Sequence, residues 1–591
     1  MSFSMGNRPG RSYSRRPSPS ASVNRAHYTE GAGARLPAVA ACQRTAACLV
    51  VVSASLLPIC AGISSAGNSF GRDRGCLGPG KVIVLANVLS AAIVGVDAHL
   101  VDVEVDISAG LPQFSIVGLP DASVRESRDR VRAALKNCGF QFPVKKITVN
   151  LAPATIKKEG AGLDLAIALG ILTAEEIIPR PAVTGHVFAG ELSLDGRLKP
   201  ISGVLSIGLT CRGSHRLLVP AENAAEAAMV EGCEVFPIRT LPQAVEFLRG
   251  AQAIEPADGL RERDEDRTRE DEDFADVRGQ EHAKRALEVA AAGGHNLLMV
   301  GPPGSGKTML ARRLPGILPP LALDEALEAS RVHSVAGTLP RDRPLLQRRP
   351  FRAPHHSISE AGLIGGGSTP RPGEVSLAHH GVLFLDEAGE FGRAVLDNLR
   401  QPLEDGSVTV TRASGSLRFP ARFMIVAAMN PCPCGYFGTR ANECLCPAAQ
   451  VRRYRSRLSG PLLDRLDLHI DVPALPIQAL REDLSPAEAS AVIRDRVVEA
   501  RRRQRLRYQE EGISANAQLK PRHLKQYCGL DAPSRDLLER AMTKLGLSAR
   551  AHGRILRVAR TIADLAGAER IALAHIAEAI QYRSFDRRIE L

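Results

Sequence analysis

Apolar and polar residues alternate with a period of two along Val101-Asp102-Val103-Glu104-Val105-Asp106-Ile107, the pattern of a strand with one face in a core. Ile147-Thr148-Val149-Asn150-Leu151 repeats it and predicts a second strand. Helical spacing predicts a helix between them over 122–138 and another after them over 163–173, and 190–196 reads as a strand entering a turn. Residues 81–255 are therefore expected to form an α/β domain. Further on, the apolar runs 296–300, 382–385 and 423–427 lack alternation, as strands of a parallel sheet do when both faces are covered. The 382–385 strand is expected beside the 296–300 strand. Beyond residue 475 the pattern turns helical, with runs over 485–507, 532–545, 548–565 and 573–582, so a helical lid is expected over 476–591.

Composition changes this picture at two places. Residues 261–273 mix dense charge of both signs with no large apolar side chain, so 256–273 reads as a linker and 274–475 as a separate domain. Residues 1–80 are rich in Ser, Arg, Gly and Ala and read as an extension, disordered or wrongly translated. The uncharged run 46–63 could be taken for a signal-peptide core or a marginal membrane span, but it contains Ser53, Ser55 and Pro58 and lies far from the start. The formal charge of +12 is concentrated in the extension, where nine arginines face only Glu30 and Asp73. Net charge alone therefore does not argue for a polyanion partner, and any nucleic-acid reading must rest on local patches. Twelve cysteines, four of them between 432 and 446, suit a reducing, cytoplasmic compartment better than a secreted disulfide framework.

The candidate chemistry starts at Gly301-Pro302-Pro303-Gly304-Ser305-Gly306-Lys307-Thr308, which fits G-x4-G-K-[ST] between an apolar strand and a helical run. Glycines there let successive backbone N–H groups curl round phosphates, Lys307 neutralises β/γ charge, and the Thr308 hydroxyl completes a Mg2+ shell, so ATP and Mg2+ are the expected cofactors. The 382–385 run ends in Asp386 and Glu387: Asp386 is expected to hold the magnesium and Glu387 to orient or deprotonate the attacking water. Asn430, at the end of the next strand, is placed to hold that same water.

Several stretches then resemble the YifB/ComM family of magnesium-chelatase-like AAA+ ATPases over roughly residues 84–585. They include Leu85-Ala86-Asn87-Val88-Leu89-Ser90, Ile116-Val117-Gly118-Leu119-Pro120-Asp121, Asn150-Leu151-Ala152-Pro153-Ala154, Phe351-Arg352-Ala353-Pro354-His355-His356-Ser357, Gln401-Pro402-Leu403-Glu404-Asp405-Gly406 and Ser459-Gly460-Pro461-Leu462-Leu463-Asp464-Arg465. The resemblance implies an α/β fold in which a P-loop AAA+ domain with a parallel sheet and helical lid follows a domain similar to Lon protease, of ribosomal S5 type. In that first domain Lys158-Glu159-Gly160-Ala161-Gly162 and Ser202-Gly203-Val204-Leu205 stand where Lon-like proteases carry their serine and lysine, so proteolysis has no nucleophile there and a scaffold is expected. The resemblance also implies that Arg465 reaches a neighbouring subunit's γ-phosphate, that Arg550 is the lid arginine, and that Val277 and Gln280 border the adenine. Such a site works only in a ring, here expected to be a hexameric homo-oligomer.

Two elements remain. Cys432, Cys434, Cys444 and Cys446 offer four thiolates in two close pairs, enough for a structural Zn2+, with reduced and unligated cysteines as the alternative. His355, His356, His379 and His380 have no thiolate or acid at ligand spacing and are expected to be structural or loop residues. Residues 408–419 read as a hairpin with a Ser-Gly turn and with Arg412 and Arg418 near its tip. In helicase-like relatives such a hairpin enters the ring's channel, joined by an insertion resembling 362–367. Arginines without aromatic neighbours suit sequence-independent DNA binding. The expected function is thus a DNA-stimulated ATPase of helicase or branch-migration type, acting in recombination or natural transformation, with no membrane partner. The alternative is a chelatase-type motor that remodels a protein partner for metal insertion.

Overall fold

The computed structural model describes residues 84–259, 272–340, 342–367, 370–412, 415–438, 443–474 and 487–583. The 1–80 extension with its uncharged run, and residues 260–271 of the expected linker, lie outside the described residues. No helix among the described residues is long and apolar enough to cross a membrane.

Strands β1 (Val84–Val94) and β2 (Asp97–Ser108) form a long antiparallel hairpin in which Val84 faces Ile107 and Val94 faces Asp97. Val101, Val103 and Val105 are fully buried while the acids between them stay half-exposed, so the predicted alternation sets the register. β3 (Gln113–Val117) and β4 (Lys146–Ala152) extend one edge. The chain then runs through β5 (His186–Phe188), a small hairpin of β6 (Glu191–Leu192) and β7 (Leu198–Lys199), and finally β8 (Arg216–Pro220) and β9 (Val235–Ile238). The resulting sheet has the order β3-β4-β2-β1-β5-β8-β9. The helix Ala122–Asn137 begins at Asp121, whose carboxylate accepts the Val124 N–H at 2.7 Å. The helix Asp164–Ala174 is buried along its whole length, and Arg130 holds its enclosed first residue, Asp164, at 2.7 Å.

The second sheet comprises β10 (Leu297–Val300), β11 (Phe351–Arg352), β14 (Val382–Leu385), β17 (Met424–Met429) and β18 (Leu468–Asp471), in the order β11-β14-β17-β10-β18 and parallel throughout. Two short pairs lie outside it, β12 (Gly365–Gly366) with β13 (Arg371–Pro372) and β15 (Ser407–Arg412) with β16 (Gly415–Pro420). The strand carrying the two acids is not the direct neighbour of β10, as its sequence suggested, because β17 lies between them. The central strands are apolar throughout because successive residues enter different cores: Leu297 and Met299 pack with the C-terminal helices, Leu298 and Val300 with Leu363, Val375 and Phe391.

The C-terminal helix expected over 485–507 runs Ser490–Arg507, starting five residues late, where the Ser490 N–H donates to Asp273 at 2.9 Å. It packs on the helices Glu281–Gly293 and Lys307–Ile317, and Gln504 donates to the Ala292 carbonyl at 3.0 Å. Ala532–Leu545, Ala549–Leu565 and Leu573–Gln581 complete the lid. Buried Asp564 gathers Arg507 at 2.6 Å, Arg560 at 3.0 Å and Asn516 at 2.8 Å. Thr561, one helical turn earlier, bonds His295 at 2.8 Å just before β10, so the lid is tied to the central sheet by hydrogen bonds as well as packing. The elements of the first sheet meet the helix Leu323–Ala336, where Arg331 meets Asp97 at 2.5 Å and Ser334 bonds Glu226.

Asp564→Ala leaves two guanidinium groups without their shared carboxylate, and breaking a buried charge network of this kind costs about 3 kcal/mol. Urea unfolding of the variant should show that loss; an unchanged midpoint would mean that the lid is held without Asp564.

Candidate functional site

The phosphate-loop candidate leaves the end of β10, where the Gly301 N–H donates to the Met429 carbonyl at 3.2 Å. Gly304 and Gly306 adopt φ of +73° and +89°, values that other residues reach only with strain, and they let the loop turn tightly into the helix Lys307–Ile317. Lys307 is buried and folds back on the loop, donating to the Gly301 and Pro302 carbonyls at 2.8 Å each and to Asn430 Oδ1 at 3.2 Å. Burial draws its ammonium below the usual lysine range, and nearby Asp386 and Glu387 offset part of that.

Across β17, Thr308 Oγ1 donates to Asp386 Oδ2 at 2.7 Å. A hydroxyl and a carboxylate this close, at the mouth of a glycine-rich loop, fit the shell of a magnesium ion bound with a nucleotide. The surroundings of Gly304 leave room on the loop's outer side, since a Cβ built there would meet nothing within 4 Å. Glu387 is exposed and holds φ at +50°, an uncommon backbone for a side chain of its size. Its carboxylate lies 3.5 Å from His356 Nδ1.

The structure places the expected adenine-bordering residues differently from one another. Gln280, itself at φ +57°, donates to the carbonyls of Ser305 at 3.3 Å and Pro473 at 2.7 Å and so touches the phosphate loop. Val277 is buried in the core that also holds Leu297, Met299 and Leu310.

Arg465 and Arg550 lie together, away from the chain's own loop. The Arg465 carbonyl accepts from Asn296, the residue before β10, at 2.9 Å, whereas the loop begins after Val300. The four residues of β10 separate the two positions by about 13 Å at the usual rise per strand residue. Arg465 is paired with Glu404, and Arg550 meets Asp464 at 3.3 Å.

The hairpin of β15 and β16 pairs Arg412 with Gly415, so Gly415 is a strand residue and not part of a Ser-Gly turn; Ala413 and Ser414 lie outside the described residues. Arg412 ends its strand, and its side chain is also outside the described residues. Arg418 is not at the tip: it pairs with Thr409 in the middle of the ladder, and its Nε donates to Ser407 Oγ at the base at 2.9 Å. The sulfurs of Cys432, Cys434, Cys444 and Cys446 converge within 4.8 Å of one another.

Known proteins align with this arrangement along nearly the whole described chain. Family models for magnesium chelatase subunit ChlI match residues 273–480, for ChlI itself residues 103–223, and for the ChlI C-terminal region residues 487–583. Uncharacterized protein YifB of Salmonella typhimurium is 45% identical over 508 residues, 85% of this chain and 98% of that protein. Competence protein ComM of Haemophilus influenzae is 46% identical over 509 residues, 86% of this chain and 99% of that protein. The chain belongs to the YifB/ComM family of magnesium-chelatase-like AAA+ ATPases. A shorter similarity, 32% over 183 residues, links it to Lon protease 2 of Bacillus subtilis.

Membership in the YifB/ComM family implies ATP and Mg2+ as cofactors, and the paired Thr308 and Asp386 fit that implication. Of the four singled-out histidines, His379 and His380 meet an acid that their spacing in the sequence did not reveal, Glu328, with the three ligand atoms within 4.8 Å of one another. His379 Nδ1 accepts the Arg422 N–H at 3.0 Å, both rings bond Glu328, and burial takes His379 down to about 4. His355 stays exposed and bonds Ser357 at 2.8 Å. His356, by contrast, belongs to the site, which its spacing in the sequence did not reveal. Its contact with Glu387 arises from the parallel pairing of β11 with β14, a feature that only the strand order supplies.

Removing the ammonium with Lys307→Ala is expected to weaken binding of labelled ATP with Mg2+ by roughly thirtyfold or more, the scale of a lost charged hydrogen bond. Wild-type affinity in that variant would show that nucleotide binds elsewhere.

Proposed function

We propose that the protein is a ring-forming, ATP-hydrolysing motor that acts on DNA without regard to sequence, of helicase or branch-migration type. The observation that carries the ring is the position of Arg465, with Arg550 beside it, at the end of the sheet remote from the chain's own phosphate loop. An arginine there serves a neighbouring copy, and a supplied arginine accelerates phosphoryl transfer by roughly 10³ to 10⁵ in known cases. The name of the Haemophilus relative, a competence protein, together with the arginine-bearing hairpin of β15 and β16, supports DNA as the substrate.

Magnesium bound with the nucleotide supplies charge neutralisation at the phosphates. Thr308 and Asp386 would hold that ion. Lys307 releases the Gly301 and Pro302 carbonyls and turns its ammonium to the β- and γ-phosphates, while the loop N–H groups hold their oxygens. Glu387 takes the proton of the attacking water, Asn430 fixes that water by its amide, and Arg465 and Arg550 of the adjoining copy meet the charge that develops. His356 positions the Glu387 carboxylate.

The test uses the purified protein, assayed for ATP hydrolysis with and without single-stranded or branched DNA. DNA should raise the rate, and mixing inactive Arg465→Ala with inactive Lys307→Ala should restore activity, since each supplies what the other lacks. A normal ring with no response to DNA would favour a motor that remodels a protein partner, the role suggested by the ChlI similarity. No recovery on mixing would place the arginine's action within one chain. His356→Ala is expected to lower kcat about tenfold, about 1.4 kcal/mol of transition-state stabilisation, with nucleotide affinity and Tm unchanged. A fall in affinity with kcat intact would remove the positioning role.

A further inference from the structure

The loop that follows Asn430 carries four thiols at distances that reduced, unligated cysteines have no reason to adopt. Cys432 Sγ lies 3.3 Å from Cys434 Sγ and 3.6 Å from Cys444 Sγ, and Cys434 and Cys444 are 3.6 Å apart. Cys446 joins them, with all four sulfurs within 4.8 Å of one another. A tetrahedral zinc ion with arms of about 2.3 Å sets its sulfur ligands about 3.8 Å apart, close to this spacing. A disulfide would draw one pair together and leave the other two sulfurs aside. Backbone support is also present, since the Phe437 N–H donates to Cys432 Sγ at 3.3 Å, as outer hydrogen bonds to metal-bound sulfur do. The Arg455 guanidinium covers the Phe437 ring at 4.8 Å and its Nε donates to the Pro431 carbonyl at 3.1 Å, fixing both ends of the first Cys pair.

Between the two cysteine pairs the same loop touches the nucleotide site. Gly435 lies so close to the phosphate loop that a Cβ on it would stand 2.4 Å from Pro303 Cδ and 2.7 Å from Pro303 Cγ. Its φ of +87° excludes most side chains as well.

We propose that Cys432, Cys434, Cys444 and Cys446 bind one zinc ion, and that the loop closed by this metal braces Pro303 and holds the phosphate loop in its nucleotide-binding form. Binding deprotonates the thiols and releases the protons to solvent. The brace rests on the reading that Gly301 to Thr308 binds nucleotide; the metal site does not.

The test measures metal content and labelled-ATP affinity on the same full-length protein. Stoichiometric zinc is expected in the wild type and should be absent from Cys434→Ser/Cys446→Ser. Stripping zinc from folded wild type with a mercurial and a chelator, then restoring reduced thiols, should weaken nucleotide binding roughly tenfold, and added zinc should recover it, which covers the case of a double variant that fails to fold. Gly435→Ala should keep its zinc yet bind nucleotide roughly tenfold more weakly, because the new methyl overpacks against Pro303. Zinc surviving the double change, or a wild type that carries none, overturns the metal site. Zinc-free protein with undiminished nucleotide affinity overturns the brace. A zinc-loaded wild type that binds no nucleotide at all sinks the motor reading and the brace with it, and leaves the metal site standing.

Discussion

The hydrogen bond of 2.7 Å between Thr308 and Asp386 depends on three strands holding one register. Thr308 follows β10, Asp386 follows β14, and β17 lies between them, pairing Leu297 with Val426 on one side and Leu385 with Ala427 on the other. Each of these strands is apolar on both faces, so a slip would expose one core or open the other. Asn430 leaves the end of β17 and reaches Lys307 for the same reason. The carboxylates, the lysine and the amide are thus side chains at the carboxyl ends of neighbouring parallel strands, the edge where open α/β sheets place their ligands.

That constraint also fixes the positions of Arg465 and Arg550. The parallel sheet has two ends, and β18 enters from the end opposite the phosphate loop. Arg465 immediately precedes this strand and Asp464 receives Arg550 from the lid, so both arginines are fixed at the far end by the same pairing that assembles the loop. Arg465 pairs with Glu404 and donates to the Pro461 carbonyl at 2.5 Å, while its Nε is buried without a hydrogen-bond partner among the described residues.

The sequence revealed most of what is local and much less of what is relational. Alternation placed the strand at Val101 to Ile107, and the glycines with Lys307 and Thr308 located the loop, because strand faces and phosphate cradles are written in consecutive residues. Strand order is not so written: two all-apolar runs look alike whether adjacent or separated by a third, and β17 came between the two that carry the site. His356 reached Glu387 by the same hidden route. For Arg418, spacing from the turn said nothing of the guanidinium's direction, and Ser407 on the partner strand drew it to the base of the hairpin.

The first sheet raises the same question of likeness against chemistry. Lys158 lies in the stretch compared above with the serine-bearing run of Lon-like proteases, and a buried lysine there invites a catalytic reading. Its ammonium, however, is spent on the Leu151 and Pro153 carbonyls at the end of β4, and burial lowers its proton affinity without any acid beside it. Held this way, the lysine closes the end of a strand. The opposite flank of the domain bears on the ATPase: Glu226 accepts both the Leu205 N–H at 3.1 Å and the Ser334 hydroxyl, and Arg331 spans the Val96 carbonyl and Asp97. Ser334 and Arg331 sit on the helix Leu323–Ala336, which also supplies Glu325 to Arg349 and Glu328 to the paired histidines in front of β14. A shift of the first sheet would therefore be felt, through the helix Leu323–Ala336, at the strand that ends in Asp386 and Glu387.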